Sequence, residues 1–216
     1  YIDPYSLDNQ QYIVYKTSDL KEQDVLFRCE VEENALKQSF VPEQLSRFND
    51  GNLRTYRLAL VCSGEYAQFH LNNQGVDATA SDADKKTAVL SAMNTSMTRV
   101  NGVFEKDLAV KMLLVGNNDN VIFLDSQTDN ITDGDPSAMI SEVQTIADTL
   151  IGDANYDIGH IFSIGGSGLA GLGVVCLSGQ KARGVTGRPS PIGDPYDIDY
   201  VSHEIGHQFG ATHTQN

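Results

Sequence analysis

Three histidines and one glutamate lie close together near the end of the sequence, in YVSHEIGHQFGATH. At about 100° per residue, a helix would place His203 and His207 on one face, about 40° apart, so that both imidazoles could reach a single ion. Gly210 permits the left-handed backbone conformation that ends a helix and turns the chain. That turn would bring His213 back as a third ligand.

These residue types predict metal-assisted hydrolysis. Three neutral imidazole nitrogens, from His203, His207 and His213, would leave Zn²⁺ one open position. A water there is acidified, and Glu204 would take its proton as general base while the water attacks a peptide carbonyl that the metal polarises. The alternative is a set of helix-surface histidines without a metal. Five specified positions match by chance with a probability on the order of 10⁻⁵ in a chain of this length, so a zinc endopeptidase is the stronger interpretation.

A helix that could carry these residues is predicted over DPYDIDYVSHEIGHQFG. Its face opposite the histidines is apolar and carries Ile198, Val201, Ile205 and Phe209. Such a face would anchor the helix to a sheet while the histidines face a cleft.

Apolar runs alternate with helical patterns upstream of that helix. Strands are predicted in RLALVC, LAVKMLLVG, NVIFLD, YDIGHIFSI and GLGVVCL, with LAVKMLLVG suited to the centre of the sheet. Helices are predicted in DADKKTAVLSAMNTSMTRVNGVFEKD and in DPSAMISEVQTIADTLIG, which begins at Asp135 and Pro136. The order predicts an α/β fold with a mostly parallel sheet.

The composition excludes some classes of partner. The 15 Lys and Arg against 29 Asp and Glu give a net charge of -14, which repels phosphate backbones, so no nucleic-acid partner is expected. No apolar run approaches the roughly 20 residues that cross a bilayer, so no membrane insertion is expected. The acidic loop DSQTDNITDGD offers oxygen ligands that could suit Ca²⁺, although a solvated loop is the simpler interpretation. These ligands would be Asp125, Asp129, Asp133 and Asp135.

The motif HEIGHQFGATH matches the HExxHxxGxxH signature of the metzincin zinc endopeptidases, and within them it resembles the bacterial reprolysin-like, ADAM-related branch. YRLALVCSGEY resembles that family's first strand, and GLAGLGVVC resembles the edge strand that receives substrate. The resemblance covers roughly residues 52–216. It implies a metzincin-type zincin fold, with a twisted, mostly parallel sheet, an antiparallel edge strand and long helices that include the active-site helix. It also implies a secreted, extracellular enzyme that acts on proteins or peptides.

The sequence departs from the family pattern at two places. Metzincins place a turn containing Met downstream of the third histidine, whereas the four methionines of this sequence, Met93, Met97, Met112 and Met139, all lie upstream of it. We therefore expect a companion C-terminal fragment that carries this turn. Thr214 stands where reprolysins usually have Asp.

The first fifty residues suggest a propeptide. The polar stretch around Gly51 predicts a domain boundary, with residues 1–50 as a propeptide tail and residues 51–216 as the catalytic domain. ADAM-like zymogens are silenced by a propeptide thiolate at the open zinc position, and Cys29 lies where such a thiolate would be expected. The alternatives are a buried structural cysteine, or a disulfide with Cys62 or Cys176. A zinc-binding but inactive metzincin-like interaction domain is the alternative function.

Overall fold

The computed structural model describes residues 2–5, 10–14, 29–32, 51–165 and 167–213. Most of the expected propeptide tail lies outside the described residues, and so does Thr214. Within the first fifty residues, β1 (Ile2–Pro4) and β2 (Tyr12–Val14) form an antiparallel pair, and β3 (Cys29–Glu32) belongs to a larger sheet.

The main sheet has the strand order β3-β7-β8-β6-β4-β5. Its remaining strands are β4 (Arg54–Cys62), β5 (Val110–Leu114), β6 (Ile158–Ser163), β7 (Ser167–Gly171) and β8 (Gly184–Gly187). The strands β5, β4, β6 and β8 are parallel, and β7 is antiparallel to β8. Among the described parts of residues 51–213, β7 is therefore an antiparallel edge strand, as expected, and β3 pairs with its outer side in parallel.

The helices begin where side chains satisfy their first backbone N–H groups. Ser63 caps α1 (Gly64–Gln74), Ser81 caps α2 (Asp82–Leu108), and Asp135 caps α3 (Pro136–Leu150). A final helical stretch consists of α4 (Asp194–Tyr196), a π-helical segment (Asp197–Ser202) and α5 (His203–Gln208). Short 3₁₀ turns occupy Asn118–Val121 and Asp153–Asn155.

Strand β4 divides the core into two layers. Leu58, Leu60 and Cys62 pack with the apolar faces of α1, α2 and α5 on one side of the sheet. Ala59 and Val61 point to the other side and pack against α3. This alternation follows from the two-residue period of a strand and explains why residues 58–62 are apolar throughout.

The structure corrects three of the predicted strands. LAVKMLLVG forms β5 at the edge of the sheet and not at its centre. NVIFLD forms no named strand: its first part is a 3₁₀ turn, and Ile122 makes one isolated bridge with Cys62. Most of GLGVVCL is a turn, because the strand lies earlier, at Ser167–Gly171.

Two further elements carried no sequence prediction. Helix α1 lies between β4 and the predicted long helix, and β8 is formed by the short segment GVTG. The other predictions are confirmed: the α/β class, the strands in RLALVC and YDIGHIFSI, and the starts of α2 and α3.

Candidate metal centre

The final helical stretch presents its histidines on one side because its other side is anchored in the core. Val201 and Ile205 are fully buried in the layer that α1 and α2 also line. After α5 the chain turns at Gly210, which has a φ of +101° and donates its N–H to His207 O at 2.8 Å. This turn brings His213 beside the two helical histidines, as the sequence pattern predicted.

An ion-pair cluster holds the start of this stretch against α2. The Arg99 guanidinium contacts the Asp194 carboxylate, and its Nε atom lies 3.6 Å from Asp197 Oδ2. Asp197 begins the π-helical segment, and only 2% of its surface is exposed. Arg99 therefore fixes the turn that leads directly into His203.

The ring nitrogens of the three histidines converge on one point. The Nε2 atoms of His203 and His207 are 3.0 Å apart, and each lies 3.2 Å from the Nε2 atom of His213. His207 Nδ1 faces Ala211 O at 2.6 Å and must be the donor, since a carbonyl oxygen only accepts. In the neutral ring this tautomer leaves a lone pair on His207 Nε2 that points towards the other two rings.

Cys29 completes the cluster. Its Sγ atom lies 3.2 Å from His203 Nε2 and 3.3 Å from His207 Nε2, and all four potential ligand atoms lie within 4.8 Å of one another. Strand β3 positions this thiol, because Cys29 lies opposite Gly168 of the edge strand β7 in the parallel pairing. None of Cys29, Cys62 and Cys176 is in a disulfide, so the disulfide alternative is wrong in this structure.

Glu204 lies beneath the cluster with its carboxylate fully buried. Burial raises its pKa to about 8, and the Cys29 side chain partly offsets this effect. Neither carboxylate oxygen accepts a hydrogen bond of ordinary geometry from the described residues. A β-carbon added at Gly168 would lie 1.9 Å from Glu204 Oε1, so only glycine leaves room for this carboxylate beside the edge strand.

Comparison with known proteins places this geometry in a family. Residues 90–214, more than half of the chain, match the family described as Metallo-peptidase family M12B Reprolysin-like. The chain belongs to the M12B reprolysin-like metallopeptidases. None of the curated proteins compared with the chain matches it significantly. Members of this family are metallopeptidases, whose substrates are proteins or peptides.

The donor set of this reprolysin-like metallopeptidase fits zinc. Tetrahedral Zn²⁺ with Zn–N bonds of about 2.0–2.1 Å would separate its nitrogen ligands by about 3.4 Å, and a thiolate ligand would lie about 3.6 Å from them. The observed spacings of 3.0 to 3.3 Å approach these values. Nitrogen and sulfur ligands favour zinc over the hard cations Ca²⁺ and Mg²⁺.

A buried network beneath α5, which the sequence did not indicate, positions the ligand helix of this reprolysin-like metallopeptidase. His160 Nδ1 contacts Gln208 Oε1, and His160 Nε2 contacts Thr186 Oγ1, both at 2.8 Å. Gln208 Nε2 also donates to Gly159 O at 2.8 Å. The sequence did not indicate this network because the partners of His160 come from two distant segments.

The structure gives no support to a Ca²⁺ site in the acidic loop of this reprolysin-like metallopeptidase. Asp125, Asp129, Asp133 and Asp135 each accept hydrogen bonds from nearby backbone N–H groups. The structure brings together no metal-ligand cluster among the described residues other than the one that contains Cys29. These carboxylates cap turns and helix starts. Asp125 and Asp135 are exposed, as the solvated-loop interpretation expects, whereas Asp129 is buried. None of the described helices has the length and apolar character needed to cross a bilayer.

Proposed function

We propose that this protein is a zinc-dependent endopeptidase in a latent form, with Cys29 as the fourth ligand of the metal. His203, His207 and His213 hold the zinc, and Glu204 is the general base of the active form. One observation carries the proposal: the thiol of a distant N-terminal segment meets the Nε2 atoms of the HExxHxxGxxH histidines. Such a contact occupies the position that substrate hydrolysis requires.

Bound zinc would acidify a water and polarise the peptide carbonyl. The rest of the chemistry belongs to the chain's own residues. Glu204 lies in a dry position beside the cluster, where its carboxylate would take the proton of the attacking water. The lone pair of His207 is aimed by its hydrogen bond to Ala211 O, so one ligand is oriented before any metal binds.

The edge strand β7 supports an extended peptide as substrate. Such a peptide can add a strand to an exposed edge through main-chain hydrogen bonds. In this structure β3 pairs with that edge, from Cys29 opposite Gly168 to Glu32 opposite Gly171. The N-terminal segment therefore covers both the metal ligands and the strand that would hold substrate, which supports its role as a propeptide tail that ends near residue 50.

We also propose that the enzyme is secreted. Reprolysin-like proteins are typically extracellular, and family membership supports the same location for this chain.

A zinc-binding but inactive domain is the second candidate function. Four protein ligands are typical of structural zinc, and Cys29 provides a fourth. A purely structural site has no use for a buried carboxylate beside it, and the Glu204 carboxylate is buried there without a hydrogen bond of ordinary geometry from the described residues. Glu204 therefore favours the enzyme.

The test compares zinc-loaded chains that carry Cys29→Ala or, as a matched control, Cys176→Ala, which removes an exposed thiol. We expect the Cys29 variant to cleave an unstructured protein such as reduced casein, with cleavage abolished by a chelator and by adding Glu204→Gln. The control should remain latent. Bound zinc without cleavage in the Cys29 variant, including after removal of residues 1–50, would establish the inactive domain instead.

A further inference from the structure

The N-terminal hairpin formed by β1 and β2 has one buried anchor among the side chains that the structure describes. Tyr5 follows β1 and is 6% exposed, whereas Tyr12 and Val14 of β2 are 53% and 67% exposed. Tyr5 N donates to Gln11 O at 2.9 Å and closes the hairpin next to the ladder. An isolated two-stranded hairpin is marginally stable in water. Its order must therefore depend on the contact that Tyr5 makes with the rest of the molecule.

Tyr5 enters a site on α1 and α2 that we call the Tyr5 socket, defined by Tyr66, His70, Gln74 and Ser91. The Tyr5 hydroxyl hydrogen-bonds His70 Nδ1, and the centroids of the two rings are 5.6 Å apart. Tyr66 also contacts His70, with ring centroids 4.3 Å apart and the ring planes tilted by 53°. The socket thus surrounds the ring and pairs its hydroxyl.

Backbone and amide contacts hold the hairpin around the inserted ring. Gln11 Nε2 donates to Gln74 O at 2.7 Å, which ties the hairpin to the last turn of α1. Ser91 Oγ of α2 donates to Tyr5 O at 3.4 Å. These two contacts come from different helices, so the hairpin bridges α1 and α2.

His70 is specialised for this contact. It is 1% exposed, and burial lowers its pKa to about 3, so the ring is neutral at physiological pH. A neutral imidazole offers one donor and one acceptor, which matches a phenol hydroxyl. Its Nε2 atom has no hydrogen-bond partner among the described residues, so the contact with Tyr5 provides the polar pairing of this buried ring.

We propose that the Tyr5 socket is a second docking surface for the chain's own N-terminal segment, independent of the metal ligands, which keeps Cys29 close to the histidines. The socket recognises a tyrosine presented by a hairpin. None of its residues belongs to the metal-ligand cluster. The chain already tethers Cys29 to the domain through the residues that follow it, and docking at the socket adds a second attachment on the N-terminal side. Two attachments confine the segment that carries the thiol and so raise its effective concentration at the metal centre. The role in holding Cys29 rests on the proposed latency, whereas the docking itself does not.

Hydrogen exchange of the full chain tests the docking. We expect Tyr5→Ala to speed amide exchange at residues 2–5 and 10–14 about tenfold or more, as expected for loss of a buried aromatic anchor. Tyr12→Ala is the matched control, since it removes an exposed tyrosine from the same hairpin, and it should change exchange there less than about twofold. Equal effects of the two substitutions would overturn the proposal. Unchanged protection of α2 shows that the domain is intact.

Tyr5→Phe removes only the hydroxyl, and it tests the docking if Tyr5→Ala fails to fold. It should speed hairpin exchange about threefold or more, as expected for one lost hydrogen bond. No change in that variant, with an intact domain, would show that the pairing with His70 does not contribute to docking and would contradict the proposal.

Alkylation of Cys29 in the zinc-loaded chain tests the link to latency separately. Tyr5→Ala should increase the alkylation rate of Cys29 about fivefold or more, while Tyr12→Ala leaves it unchanged. Faster hairpin exchange with an unchanged Cys29 rate would confirm the socket and refute its role in holding the thiol. Hairpin protection that persists in Cys29→Ser would show that docking survives even if the proposed latency is wrong, and its loss there would contradict an independent anchor.

Discussion

The Sγ atom of Cys29 lies 3.2 Å from His203 Nε2, although 174 positions separate the two residues in sequence. That contact joins an N-terminal strand to the helix that carries His203 and, under the proposed latency, connects the candidate ligand set with its means of inhibition. The parallel pairing of β3 with β7 positions the thiol, because it places Cys29 opposite Gly168, which adjoins Glu204. The proposed metal ligands, the proposed base and the edge strand proposed to hold substrate therefore all lie in one small region.

Zinc should stabilise the fold through the histidine ligands. Adding zinc in excess of about 100 times its Kd would stabilise the native state by about 2.7 kcal/mol, because the metal binds the folded site. We expect His203→Ala to lose most of this gain in thermal unfolding. Asp199→Asn, an exposed change on the same helical stretch, should keep it. An equal zinc response in both variants would contradict the ligand assignment.

Replacement of Glu204 should separate metal binding from catalysis. Glu204→Gln keeps the shape of the side chain but removes the proton acceptor, so hydrolysis by the Cys29→Ala chain should fall about 10²- to 10⁴-fold. The zinc content should remain unchanged. Retained cleavage at the original rate, measured on an unstructured protein, would show that another group is the base.

A methyl group at Gly168 should damage the active site. The added β-carbon would overlap the Glu204 carboxylate, and relief of that overlap must move the carboxylate or the edge strand. We expect Gly168→Ala to cost about 1–3 kcal/mol in free energy of unfolding and to lower activity in the Cys29→Ala background. Gly116→Ala is the control, because nothing lies within 4 Å of its added carbon. Similar behaviour of the two variants would contradict the tight fit.

The ion-pair cluster around Arg99 should contribute more to the free energy of unfolding than a surface ion pair does. Arg99→Ala leaves the buried Asp197 carboxylate without its charged partner, and we expect it to cost about 3–5 kcal/mol in free energy of unfolding. Lys111 and Glu105 form an exposed pair, with side chains 38% and 37% exposed, so Lys111→Ala should cost less than about 1 kcal/mol. Denaturant unfolding measures both. Equal losses would show that the cluster does not stabilise the π-helical turn.

Stability should fall in acid partly because of His160. Burial lowers the pKa of His160 from 6.5 to about 4, so the unfolded chain binds a proton between these values while the folded chain does not. The stabilisation is therefore complete above pH 6.5 and is lost as the pH falls towards 4, with a total of about 3 kcal/mol. In metal-free protein, His160→Gln should reduce the slope of unfolding free energy against pH in this window alone. Parallel curves for the two chains would contradict this origin.

The sequence predicted well where the candidate metal ligands meet, because helical spacing and one glycine determine their geometry. His203, His207 and His213 meet as expected, and the placement of Cys29 agrees with the expectation from family resemblance, although its role as a ligand stays a prediction. The prediction that LAVKMLLVG lies at the centre of the sheet was wrong, because an apolar run does not specify which strands pair with it. As an edge strand it leaves Leu113 48% exposed.

Other features depend on contacts between distant segments. The π-helical segment before His203 has no sequence signature, and its Asp197 carboxylate meets Arg99 of α2 only after folding. The Tyr5 socket likewise joins a single tyrosine in a polar stretch to His70, 65 positions away. Such pairings cannot be inferred from periodicity, which reports only the burial of each element by itself.

X-ray absorption at the zinc edge tests the central claim most directly. For the full chain loaded with one equivalent of zinc, we predict three nitrogen scatterers at about 2.0–2.1 Å and one sulfur scatterer at about 2.3 Å. The sulfur signal should disappear in Cys29→Ser and persist in Cys176→Ser. Zinc that binds without a sulfur neighbour in the unsubstituted chain, or no binding of zinc at all, would contradict the account.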